Sequence, residues 1–460
     1  MATAPGPFEA AYLAGVPDEV PARAERRPGL AAPDGYALGG CVLTPDVALD
    51  PGFVVVGPDG LVADVTARRP DAVAVWDTAG VILPGLVDLH GHPEFNVFSP
   101  WEPPRLYANR TEWRASPEYA ALVRQPQDHL LTVLAPDTET RYAEVRALVA
   151  GTTAIQGASG RGVGPEESLV RNVDLFVFGA HRARSLVDVP ADDDAAGMAR
   201  LRTILGGVAA GTVDRLYLHV AEGHPDDPQA AAEFDRMVAL GALSAATVVI
   251  HGTALSRDQL GAVRDAGASL VWSPQSNLRL YGATTRVADA LDLGLPLGLG
   301  ADWLPTGSPS LLGELKVAGR VLAAQGRPLE PPALVAMVTA GAAAIAGLDA
   351  HLGTLAPGRP ADLVVLERHH DDPWRSVVEA EAAWVDLVAI GGDLTYGRRP
   401  LLEALAPGAG GRAEAVVAWG KEMLLDTSWS AGPPPAPPAT LAELRAALVA
   451  AYPPVGPIFA

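Results

Sequence analysis

The apolar positions of this chain fall into three successive patterns. Between Tyr36 and residue 80, short β-like runs (Ala37–Thr44, Phe53–Val56, Leu61–Val65, Val73–Trp76) are separated by Pro-Asp and Asp-Gly turns. This spacing predicts a small antiparallel β unit. From Val81 to Leu348, short apolar runs alternate with Ala/Leu/Arg segments of helical period. Strands are predicted at Ile82–Leu89, Thr152–Gln156, Leu216–Val220, Thr247–Ile250, Ser269–Trp272 and Pro296–Gly300. Two more are needed between Gln156 and Leu216, where Val173–Phe178 and Ser185–Val189 are the available runs. Such βα alternation predicts an α/β fold, a (β/α)8 TIM-like barrel. After Leu352 the β pattern returns, at Leu352–Leu366, Trp384–Ile390 and Arg412–Val417.

β segments at both ends of a barrel are most simply one small β-sandwich formed by the N- and C-terminal segments. The expected layout is an irregular arm (1–35), a β-sandwich domain (36–80 plus 349–427) and a barrel (81–348). A proline-rich linker, Pro433 to Pro438, and a helix, Leu441–Ala451, fill 428–460.

Composition narrows the function. The 460 residues are 49% apolar, enough for a full core, and carry a net charge of −20. A surface this acidic cannot neutralise phosphates, so neither nucleic acid nor an anionic membrane is an expected partner. Cys41 is the single cysteine, which excludes an internal disulfide and a multi-cysteine zinc site. The first residues lack a charged segment followed by an apolar one, so no secretory signal is read. The longest apolar stretch, Ala333–Leu348, is too short to span a bilayer. A cytoplasmic protein with a small-molecule substrate is expected.

The candidate chemistry sits where apolar runs end. The run from Val81 closes on His90-Gly-His92, and side chains two apart on a strand point the same way. Later runs end in His219-Val-Ala-Glu222, in His251 and in Ala301-Asp302. In a βα barrel these C-terminal ends converge on one mouth. Taken singly, a strand-end histidine is most often a hydrogen-bonded loop residue, and an aspartate a helix cap. Yet four of only ten histidines lie at strand ends in barrel order. The other six (His129, His181, His224, His351, His369, His370) lie in polar or helical contexts.

The order strand–His-x-His, His-x-Ala-Glu, His, Asp resembles the amidohydrolase superfamily. So do Pro84-Gly-Leu-Val-Asp-Leu-His-Gly-His92 before the barrel and Gly353-Thr-Leu-Ala-Pro-Gly-Arg-Pro-Ala-Asp-Leu363 after it. The stretches His219-Val-Ala-Glu222 and Ser273-Pro-Gln-Ser-Asn277 are similar to the branch holding triazine hydrolases, S-adenosylhomocysteine deaminase and cytosine deaminases. A Pro-His-Ala-Pro-like segment carried by several members of that branch is missing between Gln156 and Leu216.

The resemblance implies that His90, His92, His219 and Asp302 hold one divalent metal, Zn2+ first and Fe2+ second. It implies that Glu222 shuttles the proton and that His251 binds the metal water or the substrate. Asp302 would be a second candidate base. A carboxylated lysine bridging two metals is impossible here, because Lys316 is the first lysine. The implied activity is hydrolysis of a non-peptide C–N bond by a metal-bound hydroxide attacking an sp2 carbon, foremost deamination of an amino-heterocycle. Hydrolysis of a cyclic or linear amide or imide uses the same chemistry. A non-catalytic barrel scaffold is the reading from another class.

The loop after His92 is long and aromatic. With the stretch after Asp302 it supplies Asn96, Trp101, Arg105 and Trp303 as candidate substrate contacts. Loops of this composition equally suit a subunit interface, as in a homodimer.

Overall fold

The turn-separated runs at the start of the chain form β1 (Tyr36–Leu43), β2 (Ala48–Val56), β3 (Val62–Thr66) and β4 (Val75–Pro84). Eight short strands follow: β5 (Leu86–Asp88), β6 (Thr152–Ile155), β7 (Arg171–Asn172), β8 (Ala183–Leu186), β9 (Arg215–Val220), β10 (Thr247–His251), β11 (Ser269–Trp272) and β12 (Leu297–Leu299). The last five are β13 (Leu363–Leu366), β14 (Val385–Ile390), β15 (Asp393–Arg398), β16 (Glu414–Ala418) and β17 (Lys421–Leu425). The computed structural model describes residues 32, 34–45, 47–135, 138–157, 168–174, 178, 183–411, 413–427 and 440–459. The arm at 1–35, apart from residues 32, 34 and 35, and the proline-rich linker lie outside the described residues.

Strands from both ends of the chain share one nine-stranded sheet, ordered β16-β17-β15-β14-β13-β4-β1-β2-β3. All its pairings are antiparallel except β1 with β4. Its side chains alternate between two apolar clusters, as strand geometry requires. Val81, Leu83, Val364, Leu366, Val388 and Ile390 join the large cluster that also holds the helices. Ile82, Leu363, Val365, Leu387 and Ala389 face a second cluster with Leu401, Leu402 and Leu405.

The middle eight strands run parallel and in chain order. One set is β5-β6-β7, the other β8-β9-β10-β11-β12. The two sets meet where Leu89 N donates to Leu299 O (3.2 Å) and Gly91 bridges Asp302 in parallel. Between β7 and β8 the contact is through side chains, Ser185 Oγ donating to Asp174 Oδ1 at 2.7 Å. Between these strands Val87, Leu89, Ala154, Val173, Tyr217, Val248, Ile250 and Val271 form their own cluster.

Among the eight parallel strands, three assignments depart clearly from the sequence pattern. The run Ile82–Leu89 divides at Gly85, β4 ending in the nine-stranded sheet and β5 starting the parallel strands. Gly85 N still donates to Asp362 O, while Leu86 N already donates to Gly151 O. A Cβ at Gly85 would sit 2.2 Å from Thr153 Oγ1, so the crossover needs glycine. Strand β7 is the polar pair Arg171–Asn172, upstream of the apolar run that suggested it. Of that run, Val173, Asp174 and Phe178 are described. Strand β8 likewise starts two residues early, at Ala183. The helix Leu441–Ala451 forms as the pattern predicts, started by a Thr440/Glu443 capping box. Among the described residues no helix is long and apolar enough to cross a membrane.

Candidate metal centre

His90 and His92 lie just past the end of β5, and their alignment comes from backbone pairing with the adjacent segment that follows β12. Asp302 N donates to His90 O (2.8 Å) and His92 N to Asp302 O (3.2 Å). Gly91 sits between them, so the two imidazoles project to the same side of an extended segment. The approach is tight. A Cβ on Gly300 would lie 2.4 Å from His90 Cβ.

The other groups arrive by turns of unusual hand. His219, the penultimate residue of β9, keeps ordinary strand register, paired with Ile250. Ala221, His251 and Asp302 have φ of 55°, 68° and 62°. Residues other than glycine rarely adopt this left-handed region, and such positions concentrate at functional sites. The turn at Ala221 brings Glu222 back over the end of its own strand. The turns at His251 and Asp302 re-aim side chains that regular alternation would send elsewhere.

The groups meet. Asp302 Oδ1 is 3.2 Å from His90 Nε2 and 3.7 Å from His92 Nε2. The His90 ring centroid is 4.9 Å from that of His92, 4.7 Å from His219 and 5.1 Å from His251. Candidate ligand atoms of His90, His92 and His219 lie within 4.8 Å of one another, as do those of His90, His251 and Asp302. Glu222 Oε2 stands 3.7 Å from His251 Nε2. All are buried except His92, which is partly open.

These residues fit a divalent metal. Buried polar atoms normally find hydrogen-bond partners. His90 makes no hydrogen bond through either ring nitrogen, and His219 none through Nδ1. Burial, with His90 nearby, pushes His92 down to about 3 and His219 well below its ordinary value. Burial lowers His251 too. His92, His219 and His251 are therefore neutral near pH 7, each with a ring lone pair to offer an ion. Burial alone would raise Asp302, but His90, 3.2 Å away, outweighs it and holds the carboxyl below its ordinary range. Three imidazoles and a carboxylate form a donor set suited to zinc, and a mononuclear site of this kind leaves room for water or substrate.

Several residues near this cluster were not legible in the sequence as parts of it. Asp88 accepts from the backbone N–H of His90 (3.2 Å) and Ala301 (3.1 Å), and burial pushes its carboxyl up to about 7. Glu222 is held on both oxygens. Tyr281 OH donates to Oε1 (2.6 Å) and Arg110 Nη1 to Oε2 (3.2 Å). Trp113 Nε1 donates in turn to Tyr281 OH (2.9 Å). Asn277 Nδ2 lies 3.0 Å from His251 Nδ1 and sets that ring's orientation. Asn277 stands in a stretch already noted for its family resemblance, but no local pattern joins it to His251, or Arg110 and Trp113 to Glu222.

The four candidate substrate contacts are spread over the first loop and its cover. Asn96 Oδ1 accepts from Leu304 N (2.7 Å), tying the loop after β5 to the loop after β12. Trp101 is buried beside Tyr107. Trp303 is buried among Phe95, Trp113 and Tyr119, with ring centroids 5.4, 5.4 and 6.2 Å away. Phe95 lies 6.3 Å from His92, so this aromatic group reaches the cluster's edge. Arg105 stands apart at the surface, pairing with Glu112 at 2.6 Å.

Residues 207–395 match the amidohydrolase family model. Over this segment the chain is similar to the amidohydrolase family. The matched segment includes His219, Glu222, His251 and Asp302. The chain is 26% identical over 416 residues to a 5-methylthioadenosine/S-adenosylhomocysteine deaminase of Desulforudis audaxviator, covering 79% of this chain and 92% of that protein. Guanine deaminase of E. coli superposes with a TM-score of 0.60 at 17% identity, covering 79% of this chain and 100% of that one. Atrazine chlorohydrolase from Arthrobacter aurescens, solved with zinc, gives 0.59 at 17% identity over 78% of this chain and 94% of that one. The chain thus shares the TIM-barrel-like α/β fold of these structures.

Proposed function

We propose that this chain is a metal-dependent hydrolase of a non-peptide C–N bond that deaminates a small amino-heterocycle. The observation that carries this reading is the convergence of His90, His92, His219 and Asp302, with Glu222 beside them. The similarity to the amidohydrolase family and the deaminases among the chain's relatives support the same reaction. We read the eight parallel strands as one (β/α)8 barrel and the nine-stranded sheet as a sandwich rolled on itself.

His90, His92, His219 and Asp302 would hold one divalent ion, zinc foremost, which when bound supplies the Lewis acidity that makes water nucleophilic near neutral pH. The chain's own part is positional and protic. Glu222 takes a proton from the attacking water and returns it to the departing nitrogen, so that ammonia leaves. His251, oriented by Asn277, presents Nε2 toward the same point. Burial of these groups excludes bulk water and strengthens each electrostatic contact.

The test is a panel of 5-methylthioadenosine, S-adenosylhomocysteine, adenosine, guanine, aminotriazines, lactams and N-acyl compounds, with zinc-loaded protein. Ammonia release from an amino-heterocycle is expected. New carboxylate without ammonia would move the reaction to amide or imide hydrolysis. Failure to retain stoichiometric metal would remove the hydrolase reading altogether.

A further inference from the structure

Glu222 is buried, and its carboxylate is gripped from two elements distant in sequence, directly by segment 105–119 and by Tyr281, which that segment holds in turn. Residues 105–119 of the loop after β5 lie across the end of β9. Arg110 N donates to Glu222 O (3.2 Å), and His224 N donates to Ala108 O (2.7 Å). Asn109 bridges Gly223, and its side chain donates to Asp227 Oδ1 at 3.1 Å. Tyr107 N donates to Leu280 O (2.8 Å), fixing the segment to the helix that carries Tyr281. Two side chains of this segment then reach inward. Arg110 is buried among three carboxylates, those of Asp188 (3.0 Å), Glu222 (3.2 Å) and Glu233 (3.2 Å). Trp113 anchors the hydroxyl of Tyr281, whose proton points at Glu222.

We propose that Arg110 and the Trp113–Tyr281 pair are positioning residues for Glu222, so that seating segment 105–119 and aiming the proton carrier are one event. The inference rests on the reading of Glu222 as that carrier. A carboxylate has about four lone-pair positions. Arg110 and Tyr281 occupy one on each oxygen, and the remaining face of Oε2 is left toward His251. Without these two donors the carboxylate can swing about its side-chain torsions away from the ligand cluster. Displacements of this size in a catalytic group are costly to turnover and cost little in binding.

The test is a double-mutant cycle in zinc-loaded protein. Tyr281→Phe removes one donor and keeps the ring. Arg110→Lys keeps the charge and loses the fork. Each variant is made with Glu222 intact and with Glu222→Gln, on the panel compound that releases ammonia fastest. With Glu222 intact, kcat should fall roughly tenfold to a hundredfold, as for other outer partners of catalytic groups, with KM and zinc content held. In the Glu222→Gln background the same changes should cost little more, because residues acting through one group are not additive. An equal loss in both backgrounds, or no loss in either, overturns the inference alone. Full turnover in Glu222→Gln overturns the proton-carrier reading and this inference with it. Hydrogen exchange needs no substrate. Amides 108–110 and 222–224 should exchange faster in Arg110→Lys than in the parent, and unchanged exchange there contradicts the coupling.

Discussion

The histidines and Asp302 were readable because each is a chemically distinctive residue ending an apolar run, and barrel topology brings such ends together. Arg110 and Tyr281 were not, because they meet Glu222 across 112 and 59 positions of sequence. Nothing local to either residue records that meeting. The turn at Asp302 was equally silent, since a left-handed aspartate is not encoded by any neighbouring pattern. Gly300 belongs to the same scale. Gly300→Ala places a Cβ 2.4 Å from His90 Cβ and 2.7 Å from His90 N. That contact must push His90 out of line with Asp302. The expected outcome is zinc affinity weakened about tenfold or more, as ligand misalignment usually costs. Titration of the variant with zinc against a competing chelator measures it, and parental affinity would show that the segment yields without cost.

Element by element, the strongly apolar strands β9, β10 and β11 follow the sequence pattern closely. The weak ones do not. Strand β7 is two polar residues, Arg171 buried against Asp362 and Asn172 accepting from Asp174 N. Its stability is tertiary, so an apolar-run criterion passes over it. Strands β15 and β17 carry Asp393, Arg398 and Lys421 and were missed for the same reason. The loops after β11 and β12 are joined through Glu314, which accepts from Gln275 N (2.9 Å) and from Ser308 Oγ. Burial pushes its carboxyl up to about 8 from an ordinary 4.5. Between those values the unfolded chain is ionised while the folded one keeps the proton. Folding therefore loses stability from this group as pH rises from about 5 to 8. Glu314→Gln cannot ionise. The difference in Tm, variant minus parent, should become more favourable to the variant across that range, by a few degrees. A difference independent of pH would mean that Glu314 is already ionised in the folded protein.

For the whole molecule, the sequence showed that two β-rich ends flank one βα-rich middle. It could not show how they join. The junction is a buried ion pair, Arg171 of β7 bidentate to Asp362 at 2.6 and 2.8 Å, with Gly391 N also donating to Asp362 Oδ1. Arg171→Leu leaves that carboxylate buried without its cation. Breaking such a pair costs roughly 3–5 kcal/mol. Urea unfolding should show a loss of that size, and a loss below about 1 kcal/mol would show that the sheet and the parallel strands are held by their apolar contacts alone.

The central claim is that the ligand cluster and the proton carrier are separate groups acting at one point. His90→Ala should lose metal and turnover together, while His251→Ala keeps most of its metal and loses turnover. The most direct measurement is turnover per bound metal in Glu222→Gln, with zinc content and ammonia release determined on the same sample. The amide keeps the side chain's shape and cannot carry the proton. Zinc should remain near the parental level, with turnover per metal lower by about 10²–10⁴-fold, the usual contribution of a general acid–base group. Parental turnover per metal in that variant would contradict the account and pass the proton to Asp302.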